Sequence, residues 1–176
     1  MTSIIISKFD KRRFNLMDFY LARVNRIIPA LAFLCATLLL IGLLTLSPVE
    51  YSKLGKQAAS SVLFLSNIIY YRDSGYFAES SLENWLLHTW SLSVEWQFYL
   101  LYPVALLVLN RLLSRDKLKV AIVFATFLSL VLSAWLTPKN PSLSYYVLPT
   151  RAWEMLVGGL AFLYPIKIYE SLRKPL

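Results

Sequence analysis

The sequence predicts an all-α, polytopic integral membrane protein, a helical bundle of about four spanning helices with one short re-entrant or interfacial helix. The 176-residue chain is 57% hydrophobic and 15% aromatic, and its mean hydropathy of +0.55 is too high for a soluble domain of this size. Several long runs carry no charge at all, and uncharged runs of about 20 residues match the thickness of a bilayer core.

The net charge of +8 is concentrated between the apolar runs. Basic residues in short connecting segments are typical of cytoplasmic loops, so this pattern favours a membrane protein over a nucleic-acid partner. Cys35 is the single cysteine. It provides neither a disulfide framework nor a thiolate metal site, and we expect no metal and no bound cofactor.

The first predicted element, residues 7–26, is a cytoplasmic amphipathic helix in the membrane interface. It is rich in Lys and Arg, and its apolar residues recur at spacings of three and four: Phe14, Met17, Leu21 and Val24. A membrane helix at 27–46 follows directly, with Pro29 in its first turn and no charged residue.

The next segments are a polar loop at 47–56 and a twelve-residue apolar segment at 60–71, which is short for a span. Further membrane helices are predicted at 84–109, 120–136 and 151–169. The basic segment 110–119 and the proline-rich loop 137–150 lie between them. If both 7–26 and 110–119 are cytoplasmic, an even number of crossings joins them, so 60–71 does not cross.

Polar residues recur on one face of the helix predicted at 84–109. These residues are His88, Ser91, Glu95, Tyr99 and Tyr102. A charged residue near the bilayer centre costs about 2.5–3.5 kcal/mol on insertion scales. Either these groups line a hydrophilic cavity, which a kink at Pro103 would widen, or they form a hydrogen-bonded seam that sets the helix register.

Two further pairs are candidates for a site. Arg23 and Arg26 are three residues apart, and their guanidinium groups suit phosphate recognition, although such residues also anchor lipid head groups. Arg151 and Glu154 have the same spacing, which equally allows them to pair with each other.

Three motifs resemble the membrane acyltransferase family 3, which includes bacterial O-acetylases of O-antigen and other surface polysaccharides. They are FYLARVNRIIPAL, HTWSLSVEWQFYLLYP and RAWEMLVGG, and they cover nearly the whole chain in the family's order. The resemblance implies transfer of an acyl group, usually acetyl, from acyl-CoA to a hydroxyl of an extracytoplasmic glycan such as lipopolysaccharide. It also implies a multi-pass protein of the bacterial inner membrane, in contact with membrane lipids.

The resemblance also implies roles for individual residues. Arg23 and Arg26 would bind the donor phosphates, and His88, Ser91, Glu95, Arg151 and Glu154 would line the cavity or meet the acceptor. The histidine taken as catalytic in the family belongs to a helix that precedes the first matched motif, so we expect this chain to be an internal fragment that is inactive alone. The rival interpretation is a non-catalytic membrane carrier or scaffold that uses the same polar cavity.

Overall fold

The computed structural model describes Thr2, Ile5, Ile6, residues 14–74 and residues 84–164. The prediction of an all-α fold is confirmed. In the long described stretches the helices are α1 (Leu16–Thr45), α2 (Pro48–Val62), α3 (Ser66–Asp73), α4 (Thr89–Leu112), α5 (Arg115–Leu136), α6 (Pro141–Tyr146) and α7 (Leu148–Leu163).

Three described helices, α1, α4 and α5, are long and apolar enough to cross a membrane. The fourth predicted span, 151–169, corresponds to α7, which has 16 residues. At 1.5 Å per residue this is about 24 Å, less than the roughly 30 Å of a hydrocarbon core. Residues 165–169 of that predicted span lie outside the described residues.

Helix α1 corrects the predicted boundary between an interfacial helix at 7–26 and a span at 27–46. One continuous helix begins after Asn15, whose Oδ1 accepts a hydrogen bond of 3.0 Å from the Met17 amide, and it runs to Thr45. Pro29 lies well inside this helix rather than in its first turn. A membrane helix tolerates such a proline because neighbouring groups satisfy the freed carbonyl. Residues 7–13 lie outside the described part of the chain.

Helix α2 shows that the predicted loop at 47–56 was wrong. Ser47 and Glu50 form a reciprocal capping box, and Pro48 occupies the start of the helix, where its missing amide proton costs nothing. The helix then packs closely on α1. A Cβ added at Gly42 would come within 2.7 Å of a Leu54 methyl carbon, so glycine is what permits this approach.

The segment predicted as one short helix at 60–71 is broken. Helix α2 ends at Val62, α3 begins at Ser66, and Phe64 between them has a positive φ of 55°. A left-handed conformation is costly for an aromatic residue, so contacts with other parts of the protein must stabilise this break.

The last helices begin earlier than predicted. Helix α5 starts at Arg115 instead of 120, and α7 starts at Leu148 instead of 151. The proline-rich segment 137–150 contains α6, because Pro141 is compatible with the first turn of a helix and Asn140 caps it.

Helix α4, in contrast, begins later than predicted. It starts at Thr89 rather than 84, and it runs three residues beyond the predicted end.

Helices α1 and α4 run antiparallel, displaced by about half their lengths. The Tyr20 hydroxyl donates to the Leu100 carbonyl at 2.8 Å, and Arg26 and His88 line the same groove. The predicted topology placed residues 26 and 88 at opposite membrane faces, whereas in the structure the two residues line one groove. At 1.5 Å per residue, α1 extends about 20 Å past the start of α4, and α2 packs on that extension.

Candidate functional site: the groove between α1 and α4

An open groove of about 450 Å³ separates the first half of α1 from the start of α4. Its wall is mostly aliphatic, with polar groups gathered at one part. The lining residues are Arg26, Ile27, Ala30, Leu31, Leu34, His88, Thr89 and Leu92. A predominantly apolar concavity with a few convergent polar groups is the usual form of a small-molecule site.

Arg26 and His88 are the two lining residues with an ionisable side chain. His88 is the residue that immediately precedes α4, so its side chain belongs to the start of the helix rather than to its body. Both side chains are exposed, and within the described residues neither makes a side-chain hydrogen bond or ion pair. They are therefore available to a ligand, and the arginine fork suits a phosphate.

Arg23 is held differently, by aromatic rings. Its guanidinium carbon lies 5.4 Å from the centroid of the Phe19 ring and 5.0 Å from that of Tyr99. The Tyr99 hydroxyl in turn donates to a carboxylate oxygen of Glu95, four residues earlier on α4. Arg23, Tyr99 and Glu95 form a connected set on the α1-facing side of α4, beside the groove.

The remaining members of the predicted polar face do not line this groove. Ser91 is exposed and its hydroxyl donates to the carbonyl of His88, within its own helical turn, at 3.0 Å. Tyr102 is buried, 2.9 Å from the Thr2 hydroxyl. Pro103 is fully buried within α4, so the predicted opening of a cavity at this proline is not what forms the groove.

Arg151 and Glu154 lie on another side of α4. One guanidinium nitrogen of Arg151 is 2.8 Å from both carboxylate oxygens of Glu154, which is the mutual pairing that their spacing allowed. The same guanidinium lies 4.9 Å from the Trp90 ring centre and 5.5 Å from that of Tyr145. Since Trp90 is two residues after His88, it projects away from the groove.

Sequence reasoning missed a polar seam on a third face of α4. The Thr89 hydroxyl is 2.7 Å from that of Ser61 and donates to Ser66 at 3.2 Å, and Ser66 is 2.7 Å from Ser93. All four side chains are buried. The four hydroxyls therefore form a chain that joins both α2 and α3 to α4.

Amide side chains continue this seam and stabilise the break between α2 and α3. Gln97 donates to the Phe64 carbonyl at 3.2 Å and to Asn67 Oδ1 at 2.9 Å, and Asn67 donates to the Tyr146 carbonyl at 3.0 Å. The Phe64 ring stacks on Trp96 with ring centres 4.5 Å apart. These contacts offset the cost of the positive φ at Phe64.

A signal for the seam was present in the sequence. Thr89, Ser93 and Gln97 recur every four residues, so they share one face of a helix. His88 and Glu95 belong with the groove and its neighbour Arg23, whereas Thr89, Ser93 and Gln97 hold the packing.

The fold is that of an all-α membrane protein, and its groove is a mostly apolar, partly cationic candidate site. Comparison with known proteins gives its family. The acyltransferase domain family matches residues 3–176, so the chain belongs to this family and is classed as an acyltransferase. This favours the enzyme interpretation over the carrier or scaffold.

Three relatives illustrate the similarity. An uncharacterized protein of Haemophilus influenzae is 32% identical over 93% of this chain and 69% of its own length. The peptidoglycan O-acetyltransferase OatA of Listeria monocytogenes is 31% identical over 94% of this chain, and the O-acetyltransferase OatA of Staphylococcus aureus is 29% identical over 94%. The chain spans only 27% and 28% of those two proteins. No solved structure matches it.

Proposed function

We propose that this chain takes part in moving an acetyl group from acyl-CoA to a hydroxyl of a cell-surface glycan, as a multi-pass protein of the bacterial inner membrane. The observation that carries the proposal is the groove, where Arg26 and His88 face an aliphatic wall. An acyl-CoA donor has anionic phosphates joined to a long, less polar arm, and this combination of surfaces suits it.

In the reaction, the acceptor oxygen attacks the thioester carbonyl carbon, the carbon–sulfur bond breaks, and the acyl group becomes an ester. The hydroxyl proton leaves through a base, and the CoA thiolate takes up a proton. Holding the two reactants together supplies a large part of the rate. We assign Arg26 and Arg23 to donor binding. The family resemblance implies that the base is a histidine on a helix that precedes the first matched motif. We therefore do not assign the role of base to His88.

The acceptor in this proposal is peptidoglycan or a related surface polysaccharide. Peptidoglycan comes first because the Listeria relative carries it in its name, and an O-antigen sugar of lipopolysaccharide is the second candidate. The Arg151–Glu154 pair, beside the Trp90 and Tyr145 rings, offers an aromatic surface and charged hydrogen-bonding groups to a sugar.

The test uses the complete gene product in membranes, with acetyl-CoA as donor and glycan acetyl ester as readout. Arg26→Ala should raise the KM for acetyl-CoA by about tenfold or more, because a phosphate contact is lost. Asn25→Ala is the matched control, since Asn25 is exposed on the same helical turn and does not line the groove. An unchanged KM in Arg26→Ala would refute donor binding by the groove and leave Arg26 as a lipid anchor.

A further inference from the structure

A second cavity, of about 240 Å³, lies at the other end of the bundle, where α4, α5 and α7 meet. Part of its lining consists of basic and amide side chains from the basic segment 110–119. The rest consists of aliphatic and aromatic side chains. The residues are Ile6, Asn110, Arg115, Leu118, Lys119, Phe162 and Leu163. This cavity is remote from the α1–α4 groove. Asn110 lies more than twenty residues after His88, near the opposite end of α4.

The polar part of this cavity carries positive charge. Arg115 and Lys119 are one helical turn apart on α5, so both point to the same side, and Asn110 adds an amide from the end of α4. Asp116 lies 3.9 Å from the Lys119 ammonium but is 96% exposed on its side chain. An ion pair of that length in water neutralises little of the lysine charge.

The apolar part opens along the flank of the bundle. Leu118 is buried, Leu163 is half-buried, and Phe162 is 44% exposed on the outer face of α7. This places a cationic end next to an exposed apolar surface. The combination is complementary to a molecule with an anionic phosphate head and hydrocarbon tails.

We propose that this cavity binds the head group of an anionic phospholipid, with the acyl chains lying along Phe162 and the α5–α7 surface. The volume supports this choice over the CoA donor. Sites that enclose a whole drug-sized ligand usually measure about 300–1,000 Å³, so about 240 Å³ suits a phosphodiester head whose tails remain outside. The inference is independent of the proposed reaction, because none of these residues belongs to the groove.

The experiment is native mass spectrometry of the full gene product in detergent, with phosphatidylglycerol and phosphatidylcholine of identical chains as probes. Wild-type protein should retain phosphatidylglycerol preferentially. Arg115→Gln with Lys119→Gln should lower its affinity about 10- to 30-fold, as expected for two basic residues near a phosphate. Lys119→Gln alone should lower the affinity for phosphatidylglycerol about fivefold. Because Lys119 is partly exposed, this single variant replaces the double variant in the test if the double variant does not fold.

The control is Arg111→Gln with Lys117→Gln, which removes the same charge from the same segment at positions that do not line the cavity. This variant should keep the wild-type preference. An equal loss in both double variants would show diffuse attraction by the basic segment and overturn the site. Equal retention of phosphatidylcholine, or displacement of phosphatidylglycerol by millimolar coenzyme A or inorganic phosphate, would overturn the lipid assignment.

Discussion

The guanidinium of Arg23 stacks on the ring of Tyr99, 5.0 Å from its centre, while the Tyr99 hydroxyl donates to Glu95. One tyrosine therefore supports an arginine from one helix and a carboxylate on another. The face of the Tyr99 ring contacts the Arg23 guanidinium through a cation–π interaction. The hydroxyl on the edge of the same ring donates to the Glu95 carboxylate.

Variants at Tyr99 separate these two roles in the proposed reaction. Tyr99→Phe keeps the ring under Arg23 and should leave the KM for acetyl-CoA within about twofold, whereas Tyr99→Leu removes the stacking and should raise it several-fold. Steady-state kinetics with acetyl-CoA make the comparison. Equal KM values for the two variants would show that the ring does not position Arg23.

The two serines of α4 that differ in burial test the polar seam. Ser93 is fully buried against Ser66, whereas the Ser91 hydroxyl is exposed and bonds only to its own helix. Ser93→Ala should cost about 0.6–1.7 kcal/mol in the free energy of unfolding, the range for interhelical hydrogen bonds in membranes, and Ser91→Ala should be near neutral. Unfolding in mixed micelles measures both. A cost for Ser91→Ala equal to that for Ser93→Ala would contradict the seam.

Removing a buried hydroxyl should stabilise the protein at Tyr70. This side chain is 6% exposed, and its hydroxyl has no hydrogen-bond partner within the described residues. Burial, with Tyr146 and Asp73 nearby, raises the pKa of Tyr70. Tyr70→Phe should therefore raise the unfolding free energy by about 1 kcal/mol, since an unsatisfied buried group costs about 1–3 kcal/mol.

The same chemical change should have the opposite sign at Tyr20, which donates to the Leu100 carbonyl. Tyr20→Phe loses that hydrogen bond and should destabilise by about 1 kcal/mol. Thermal unfolding of the two variants in one detergent provides the comparison, and destabilisation by Tyr70→Phe would show that its hydroxyl has a partner after all.

Glycine variants test the close contact of α1 with α2. Gly42→Ala brings Cβ within 2.7 Å of a Leu54 methyl carbon, and Leu54 is 3% exposed with little room to move. The expected cost is about 1–3 kcal/mol. At Gly55 an added Cβ meets nothing within 4 Å, so Gly55→Ala should be neutral or stabilise the helix by up to about 1 kcal/mol. Similar melting temperatures for the two variants would rule out the tight contact.

The capping box predicts a dependence on pH. Hydrogen bonding with the Ser47 side chain and with the Ser47 backbone amide, which donates to the Glu50 carboxylate, lowers the pKa of Glu50 from its ordinary value, and the nearby Lys53 adds to this. A lowered folded pKa gives stability that is complete above the unfolded value of about 4.3 and is lost as the pH falls through the folded pKa. Melting temperatures between pH 3 and 7 should show this decline in wild type and less of it in Glu50→Gln.

Two serine variants check the origin of that decline. Ser47→Thr keeps the hydroxyl and should keep the decline, whereas Ser47→Ala should weaken it. The same pH profile in wild type and Glu50→Gln would assign the decline to other carboxylates.

Much of the fold followed from composition, because long uncharged runs leave few alternatives to spanning helices. The errors arose in two situations: one local pattern was given more weight than another, or the sequence held no local pattern at all. Polar composition suggested a loop at 47–56, although Ser47, Pro48 and Glu50 carry the pattern of a helix start. The break at Phe64 has no glycine or proline to mark it, and it depends on Gln97, more than thirty residues away.

The sequence predicted the polar face of α4, but not which neighbouring helix each of its residues would meet. Helical spacing grouped His88, Ser91 and Glu95 on one face, but spacing does not say which neighbour covers each part of that face. The register between α1 and α4 places Arg26 beside His88 and Arg23 beside Tyr99. This register depends on tertiary contacts such as that of Tyr20, which no local pattern reveals.

The displacement of α1 along α4 has a consequence for the surrounding bilayer. End to end, the pair is about 55 Å long at 1.5 Å per residue, nearly twice the hydrocarbon thickness of about 30 Å. If both helices cross one bilayer, this mismatch requires strong tilt of the helices or thinning of the bilayer beside them. Thinning next to Arg26 and His88 would shorten the distance between the two aqueous compartments at the groove where the proposed reaction binds its acyl donor.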